Sequence, residues 1–472
     1  MKPGKPTWFA LIAIAVLATA MRFYRTSQAP PGFHWDEAAV SAQVMCLEQS
    51  GRTLDGQHWP LMTPVLGGGY STIAWLAPAV AWSRVAGESV GAMRSFAAVC
   101  GALTVVGVFF VGLFATGSKK IGAYAALSAA ISPWAFQFSR IAWDPAIAPT
   151  YLTWALALLL LATTSVATQR RWLGWPSIVA SAMLFAIACI SYPPLRVQVP
   201  LVFVAFLVWK HAYVRTHLLQ AAAFVAVFAI CSIQLWTLTQ SGAIQGRFET
   251  LSVFSSSYWA VQQITSRNQI AIHGAWLFIK NILAHFAPAY LFTSGDANLR
   301  HSTQSFGEWS WLDALALFGG AIVMARRRMR ASGWMMFAMF GYVAGLLPAA
   351  LTWESVPHAL RSFGAFPFLA VLVGTAIETI ADVVPRIRSL VPVAATGVAL
   401  VFCATFSYVF FLEYPERAGG AFDAPAVRLL ADPQSKILQT DDARYPPLAL
   451  RYYQLRAGVV RCVPSGPVFV HR

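Results

Sequence analysis

Long apolar runs separated by short polar segments make up most of the chain. A helix that crosses the hydrocarbon core of a bilayer needs about 20 predominantly apolar residues, so the pattern predicts an all-α polytopic membrane protein with about eleven transmembrane helices. We place these spans at residues 7–24, 95–115, 121–138, 146–167, 175–191, 197–213, 218–238, 311–325, 333–351, 361–381 and 389–411.

Two further apolar runs, 70–86 and 272–292, favour helices that lie in the membrane surface. The first carries Trp75 and Trp82, and the second contains polar side chains such as Lys280. Aromatic anchors and a polar face are typical of interfacial helices. Counting either run alone as a span would invert the predicted topology of everything that follows it.

Basic residues decide the orientation, because Lys and Arg concentrate on the cytoplasmic side of membrane proteins. With both interfacial runs outside, one side collects Lys2 with Lys5, Lys119 with Lys120, Arg170 with Arg171, Lys210 with Arg215, Arg326 to Arg328 with Arg330, and Arg386 with Arg388. Nearly all carboxylates fall on the other side, in the loops 25–94 and 239–310, in a polar C-terminal segment, 412–472, and at the span ends that carry Asp144, Asp313 and Glu354. We therefore expect a transmembrane domain over residues 1–411 whose chemistry lies at the outer face.

The composition supports this class, since 57% of the residues are hydrophobic and 11% are charged. Soluble domains carry about 25% charged residues. The formal net charge of +15 does not indicate nucleic-acid binding, because the basic residues fall in short clusters between apolar spans. The six cysteines show no CxxC or Cys/His metal spacing. Cys46 and Cys462 would share the outer face, and the sequence leaves open whether they form a disulfide.

The most informative polar stretch is 32–38 (GFHWDEA), which follows directly on the first span. Its adjacent carboxylates, Asp36 and Glu37, lie where water meets hydrocarbon, and a charge at that depth usually has a function. Alternatively, Asp36 caps a short helix, since residues 38–49 carry a helical apolar pattern that Gly51 would end.

Four further segments place charged or polar groups beside a span end on the same predicted face. They are Ser139 to Pro145, Ser191 to Arg196, Phe292 to Thr303 and Trp353 to Arg361. Each segment also has an ordinary interpretation. Asp144 before Pro145 suits a turn, and Arg196 suits an anchor that reaches lipid headgroups.

Carboxylates gathered with Arg and His at one membrane face suit the transfer of a group from a lipid-linked phosphate donor to a hydroxyl or an amine. A carboxylate takes the proton from the acceptor. Arg pairs with the phosphate and stabilises the charge that develops as it leaves. The lipid tail of the donor explains why such a site lies at the bilayer surface.

The order of these motifs resembles the membrane-embedded C-type glycosyltransferases, in the branch of the protein O-mannosyltransferases and the lipid A aminoarabinose transferases. The residues that carry the resemblance are the pair Asp36-Glu37, Ser139-Arg140 through Asp144, Tyr192 to Arg196, Gly295 to Ser302, and Pro357 to Arg361. The Gly-Asp-x-Asn-x-Arg-His run is the part most specific to bacterial members. The C-terminal segment 412–472 does not match the large soluble domains of some relatives.

The resemblance implies a polyprenyl-phosphate-linked sugar donor and an inverting displacement at the anomeric carbon, on the periplasmic or extracellular side of a bacterial inner membrane. Asp36 matches the position of the family's general base, and Glu37 beside it is the second catalytic candidate. The residues expected to bind the donor phosphate or the substrates are Asp144, Tyr192, Arg196, Arg300, His301, His358 and Arg361. Some relatives use a divalent metal and others do not, and the sequence assigns no residue to one.

Two other functions stay open: a transporter or flippase of lipid-linked sugars, and another lipid-dependent transferase such as an acyltransferase. Transporters tend to show internal repeats and ionisable residues near the bilayer middle, whereas the mid-span stretches here are almost free of charge. Acyl transfer usually uses a His or Ser nucleophile system, for which His34 and His358 are candidates. The expected acceptor of a sugar is a lipid, a glycan or a protein.

Overall fold

A computed structural model describes residues 5–167, 171–240, 246–383, 385–440, 442–463 and 466–469. Within these ranges helices predominate, and the strands form two short hairpins. Lys2, Arg170 and residues 241–245 of the predicted outer loop lie outside the described residues.

The helices are numbered in chain order. They are α1 Lys5–Phe23, α2 Trp35–Ser50, α3 Ile73–Ala86, α4 Val90–Thr116, α5 Lys119–Ile131, α6 Pro133–Phe138, α7 Ala148–Ala167, α8 Gly174–Ser191, α9 Pro193–Trp209, α10 His211–Thr216, α11 Leu218–Gln240, α12 Gly246–Leu251, α13 Ser256–Val261, α14 Arg267–Ala284, α15 Trp311–Arg326, α16 Gly333–Ala350, α17 Phe366–Val383, α18 Leu390–Tyr408, α19 Tyr414–Ala418, α20 Ala424–Leu430 and α21 Pro447–Arg456.

Both hairpins are antiparallel. Strand β1, Met62–Pro64, pairs with β2, Tyr70–Thr72, so that Met62 lies opposite Thr72. Strand β3, Val460–Val463, pairs with β4, Gly466–Phe469.

Every predicted span coincides with at least one helix in the described part of the chain. The span at 121–138 is divided into α5 and α6 at Pro133, which lacks an N–H donor and is tolerated in the first turn of a helix. By length and composition, seven helices of the described residues can cross a membrane: Val90–Thr116, Asp144–Thr164, Gly174–Ser191, Leu218–Thr237, Gly333–Ala350, Phe363–Val383 and Leu390–Ala418. The shorter apolar helices are Trp8–Phe23, Ile73–Ala86 and Pro193–Trp209.

The helix α14 is amphipathic. Its exposed face carries Ile272, Trp276 and Leu283. Its opposite face buries Asn281, whose side chain donates to the carbonyl oxygens at Ala350 and Thr352, at 3.1 and 2.9 Å. An apolar face on a helix that is anchored by polar contacts agrees with the expected interfacial position.

The chain divides into two compact units, described here separately. The helical unit comprises Met1–Thr19, Ala102–Phe136 and Ala148–Phe406. Within it, α5 and α17 pack closely because Gly374 has no side chain: a Cβ at that position would lie 2.5 Å from the carbonyl oxygen of Ile121. Small residues at such crossings let transmembrane helices approach each other.

The loop unit comprises Ala20–Gly101, Gln137–Ile147 and Ser407–Arg472. A disulfide joins Cys46 on α2 to Cys462 on β3, with their Cα atoms 5.3 Å apart. The pairing that the sequence left open is therefore present, and it ties the C-terminal segment to the helix that follows the acidic pair.

Candidate functional site

The acidic loop is ordered by the start of α2. The Asp36 N–H donates to Nδ1 of His34 at 3.1 Å, and the His34 N–H donates to Oε2 of Glu37 at 3.3 Å. These reciprocal bonds form a capping box, which satisfies backbone N–H groups that have no partner within the helix. The interpretation in which Asp36 caps a helix starting near residue 38 is wrong, because the helix begins at Trp35 and the imidazole of His34 supplies the acceptor.

Glu37 is held by an ion pair inside the loop unit. Nε of Arg94 donates to its Oε1 at 2.9 Å and Nη2 donates to its Oε2 at 2.7 Å. The N–H of Ala142 donates to Oε1 at 2.8 Å. Both side chains have 0% of their surface exposed, so the pair fixes the acidic loop against the segment around Ala142.

Asp36 differs from its neighbour in accessibility. Its side chain keeps 33% of its surface exposed, and its Oδ2 lies 3.5 Å from Nδ1 of His34. It stands in the first turn of α2, where the helix dipole favours a negative charge. Of the two adjacent carboxylates, Asp36 is the one that a bound molecule can reach.

A third carboxylate, Asp423, joins this group from the C-terminal segment. Its Oδ2 accepts the N–H of Trp35 at 3.1 Å and lies 4.0 Å from Nε2 of His34. The ring of His34 therefore lies between Asp36 and Asp423. The sequence offered no local signal for Asp423, because the contact joins segments 388 residues apart.

Arg140 organises the chain that leads into the acidic loop. Its guanidinium donates to the carbonyl oxygens of Met21, Arg22, Tyr24 and Ala29, at distances of 2.5 to 3.0 Å. Burial, with the cations Arg94 and Arg22 nearby, lowers the pKa of Arg140 to about 9, so the guanidinium remains charged at neutral pH.

Asp144 is bound to β2. Its Oδ1 accepts from the N–H and from the hydroxyl of Thr72, both at 2.7 Å, and its Oδ2 accepts from the hydroxyl of Ser71 at 2.8 Å. The residue is 5% exposed. Three hydrogen bonds therefore hold this carboxylate and fix the turn Asp144–Ala146 against the hairpin.

The helical unit contains a second cluster, built from two loops. Oδ2 of Asp296 lies 2.9 Å from Nδ1 of His301 and 3.9 Å from Nδ1 of His358. The N–H of Ala359 donates to the same oxygen at 2.8 Å, and the N–H of Asn298 donates to Oδ1 at 2.8 Å. Asp296, His301 and His358 are all buried, and they are the residues here that could hold a metal ion.

The surroundings of this cluster shift its ionisation. Burial holds the pKa of His358 well below its usual range, and the neighbouring His301 and Arg361 lower it further, so its imidazole is neutral. Burial raises the pKa of Glu308 well above its usual range, and the carboxylate of Asp296 raises it further. Glu308 accepts the N–H of Asp296 through Oε1 at 3.0 Å.

The remaining predicted binding residues also lie in the helical unit. Arg361 donates to Oε2 of Glu354 at 2.9 Å and to the hydroxyl of Thr352 at 2.9 Å. Nε of Arg196 donates to the carbonyl of Cys189 at 3.0 Å. Arg300 is half-buried, and Tyr192 lies at the junction between α8 and α9.

The predicted residues divide between the two units. Asp36, Glu37 and Asp144 belong to the loop unit. The other predicted residues, which belong to the helical unit, are Tyr192, Arg196, Arg300, His301, His358 and Arg361. Arg94 was missed, although an arginine at the start of the apolar span 95–115 is the kind of membrane-embedded charge that often marks a functional site.

A family model supports the resemblance over part of the chain. Residues 71–236 match the model described as dolichyl-phosphate-mannose-protein mannosyltransferase. No curated protein sequence matches the chain.

Solved structures share the arrangement of helices. ArnT from Cupriavidus metallidurans in the apo state is 13% identical with a TM-score of 0.53, and the match covers 95% of this chain and 74% of ArnT. The same enzyme bound to undecaprenyl phosphate is 13% identical with a TM-score of 0.50, and the match covers 96% of this chain and 76% of ArnT. The archaeal oligosaccharyltransferase AglB from Archaeoglobus fulgidus, in complex with an inhibitory peptide and a dolichol-phosphate, is 12% identical with a TM-score of 0.55.

This chain has the C-type glycosyltransferase fold. It covers 61% of AglB, with 99% of its own length matched. The predicted fold class, the predicted resemblance and the assignment to the glycosyltransferases are confirmed. Identities this low show the fold alone, so the roles of single residues stay predictions.

Proposed function

We propose that the protein transfers a sugar from a polyprenyl-phosphate-linked donor to an acceptor hydroxyl or amine, with inversion at the anomeric carbon and with Asp36 as the general base. The observation that carries this proposal is the difference between the adjacent carboxylates. Glu37 is fully buried and paired with Arg94, while Asp36 keeps 33% of its side-chain surface exposed in the first turn of α2.

A general base must reach the proton that it removes, within hydrogen-bond distance of the acceptor. Asp36 satisfies this requirement because it is accessible and because the capping box fixes its backbone. In this proposal Glu37 positions the loop through Arg94 and Ala142, and Asp144 positions the hairpin β1–β2, so neither carboxylate takes the acceptor proton itself.

The donor class is supported by the comparisons, since the matched family is described by a dolichyl-phosphate-linked sugar and the related structures hold undecaprenyl phosphate or dolichol-phosphate. We extend that donor chemistry to this chain. Its phosphate is a monoanionic diester that gains a second negative charge as the lipid phosphate leaves, and Arg and His side chains bind such a group through charge-assisted hydrogen bonds. Arg196, Arg300 and Arg361 are the candidates in the helical unit.

We place the reaction on the outer side of a bacterial inner membrane. The proposal rests on the distribution of Lys and Arg, which assigns the loops 25–94 and 239–310 to the side opposite the basic clusters. A disulfide between Cys46 and Cys462 supports the same side, because such bonds persist in oxidising compartments.

The test uses the full chain purified in detergent, with a panel of radiolabelled polyprenyl-phosphate sugars and crude membrane acceptors. The wild-type protein and the variant Asp36→Asn are compared, because the amide keeps the shape of the carboxylate and loses the base. Asp432→Asn serves as the matched control, since Asp432 is an exposed aspartate of the same unit.

We expect the wild type and Asp432→Asn to release or transfer sugar, and Asp36→Asn to lose at least about 100-fold in rate, the lower end of what general-base catalysis contributes. An Asp36→Asn variant that matches the wild type would remove Asp36 from the chemistry. If the wild-type protein is inert with every donor but moves a donor across vesicle membranes, the proposed sugar transfer would be wrong and the protein would be a transporter.

A further inference from the structure

We propose that Asp296, His301 and His358 form a binding site for one divalent transition-metal ion of the zinc class. The site goes beyond the proposed sugar transfer, and its evidence lies wholly in the helical unit. It joins the loop that follows α14 to the segment that precedes α17.

The spacing of the three side chains fits a shared ion. Ligand atoms about 2.1 Å from a tetrahedral zinc lie about 3.4 Å from one another. The separations from Oδ2 of Asp296, 2.9 Å to His301 and 3.9 Å to His358, bracket that value. All three ligand atoms lie within 4.8 Å of one another, a separation that one shared ion can span. Nδ1 of His358 accepts the N–H of Arg361 at 3.3 Å, a long bond that the ion would replace.

The carboxylate is held in place by the backbone rather than by a cation. Asn298 N–H and Ala359 N–H each donate to one of its oxygens, and a carboxylate oxygen has further lone pairs available. The carbonyl of Ala359 in turn accepts from Nε1 of Trp134 at 2.9 Å. Such outer contacts orient the first ligands of a metal site.

The loop that carries two of the ligands is also fixed. Gly295 adopts a φ of 67°, in the left-handed region that favours glycine. A Cβ there would lie 2.9 Å from Oε1 of Glu308 and 2.9 Å from the side chain of Ser302. The hydroxyl of Ser302 donates to the carbonyl oxygens of Ser294 and Asp296, which closes the loop on itself.

The donor set selects the metal. Imidazole nitrogens suit zinc, iron, copper and nickel, while magnesium and calcium prefer sites made of oxygen atoms. Two histidines and one aspartate therefore favour a zinc-class ion over magnesium. Three protein ligands also leave a fourth position for another donor.

A bound ion would cross-link the two loops. His301 and Asp296 belong to one loop and His358 to the other, and the two segments lie more than 50 residues apart in sequence. An ion that binds the folded state stabilises it in proportion to the logarithm of its concentration over its dissociation constant. The competing arrangement is a hydrogen-bonded Asp–His pair without an ion, and the experiment separates the two.

The experiment measures the metal content of the full chain, purified in detergent through an affinity tag that contains no histidine. We expect about one zinc ion per chain after exposure to zinc and removal of the excess. Asp296→Asn, His301→Ala and His358→Ala should each lose it, while His211→Ala, which changes an exposed histidine, should keep it. The dissociation constant in the ligand variants should rise by more than the roughly 10–100-fold that loss of an outer contact costs.

X-ray absorption at the zinc edge provides a second readout. It is measured on the wild-type protein and therefore does not depend on how well each variant folds. Wild-type protein should show a shell of nitrogen and oxygen at about 2.0–2.1 Å with the multiple scattering of two imidazoles. Zinc that stays at full occupancy in all three ligand variants would place the ion elsewhere. Wild-type protein that binds no zinc would establish the hydrogen-bonded pair and overturn the proposal.

Discussion

Arg94 binds Glu37 through two parallel hydrogen bonds, 2.9 Å from Nε to Oε1 and 2.7 Å from Nη2 to Oε2, and neither side chain is exposed to solvent. This fork joins the helix α4 to the first turn of α2. A bidentate pair of this kind fixes direction as well as distance. The acidic loop therefore owes its position to a basic residue that lies 57 positions further along the chain.

We expect Arg94→Ala to destabilise the loop unit strongly. Removing one partner of a buried pair leaves the other charge uncompensated, which costs about 3–5 kcal/mol. Arg94→Lys should recover only part of the loss, because an ammonium cannot make the two parallel bonds. Thermal unfolding in detergent, followed by an intrinsic tryptophan signal, measures both variants.

The control for Arg94 is Arg444→Ala, which breaks an ion pair with Asp442 on the protein surface. Exposed pairs of this kind contribute little, so the unfolding temperature should not change. Equal unfolding temperatures for Arg94→Ala and wild type would contradict the structural importance of the buried fork.

The second prediction concerns the anchoring of Asp144. Thr72→Val removes the hydroxyl that donates to Oδ1 at 2.7 Å and keeps the backbone N–H bond to the same oxygen. Hydrogen bonds to charged groups contribute about 1.5–3 kcal/mol, so we expect a destabilisation of that size. Chemical or thermal unfolding of the purified protein checks it.

Thr405→Val is the matched change, because the Thr405 hydroxyl is exposed and bonds only to its own helix, at the carbonyl of Val401. A Thr72→Val protein no less stable than Thr405→Val would show that Asp144 does not depend on this hydroxyl.

His34 gives a third prediction, on catalysis rather than on stability alone. His34→Ala removes the acceptor for the Asp36 N–H and should cost about 1 kcal/mol of helix stability. If Asp36 is the base, the rate constant kcat should fall more than KM changes, because the base is misplaced while substrate contacts remain. His34→Asn should restore most of kcat, since asparagine is a favourable N-cap.

Steady-state kinetics with the donor identified from the panel measure this split. A His34→Ala enzyme whose KM rises while kcat stays at the wild-type value would assign His34 to substrate binding instead of to the orientation of Asp36.

The disulfide gives a prediction that needs no activity. Denatured protein without reductant should titrate four thiols, those of Cys100, Cys189, Cys231 and Cys403, and two more after reduction. Cys462→Ser should free Cys46 and lower the unfolding temperature, because the bond constrains a loop of more than 400 residues in the unfolded chain. Six free thiols in unreduced protein isolated from membranes would contradict the pairing.

The helices could be predicted from the sequence because each span is an apolar run, and a run of about 20 such residues is visible without any partner. The stop of α2 at Gly51 was equally local, since its φ of 68° is the left-handed conformation that glycine adopts most easily. The start of α2 was placed wrongly, because a histidine took the capping position in which the pattern favours aspartate.

The pairings between distant segments could not be predicted in the same way. No pattern near Glu37 predicts that Arg94 is its partner, and no pattern near Trp35 predicts its hydrogen bond to Asp423. The same holds for Asp296 and His358, which lie on separate loops. A single sequence shows the chemistry of each residue. Which distant residues come into contact depends on how the helices between them pack.

The loop unit is assembled from three separate stretches of the chain, and this bears on the number of membrane crossings in the proposed topology. In the proposed topology these stretches share one side of the membrane, so each excursion of the chain between them would cross the bilayer an even number of times. The first excursion, 102–136, contains the C-terminal half of α4, and in this topology α5 with α6 would make the return crossing, although they are too short to qualify alone.

The second excursion, 148–406, contains the eight spans placed after residue 145. Counting the run 272–292 as a ninth would bring the chain back to the wrong side. The even number of spans between these stretches therefore agrees with leaving that run out of the count.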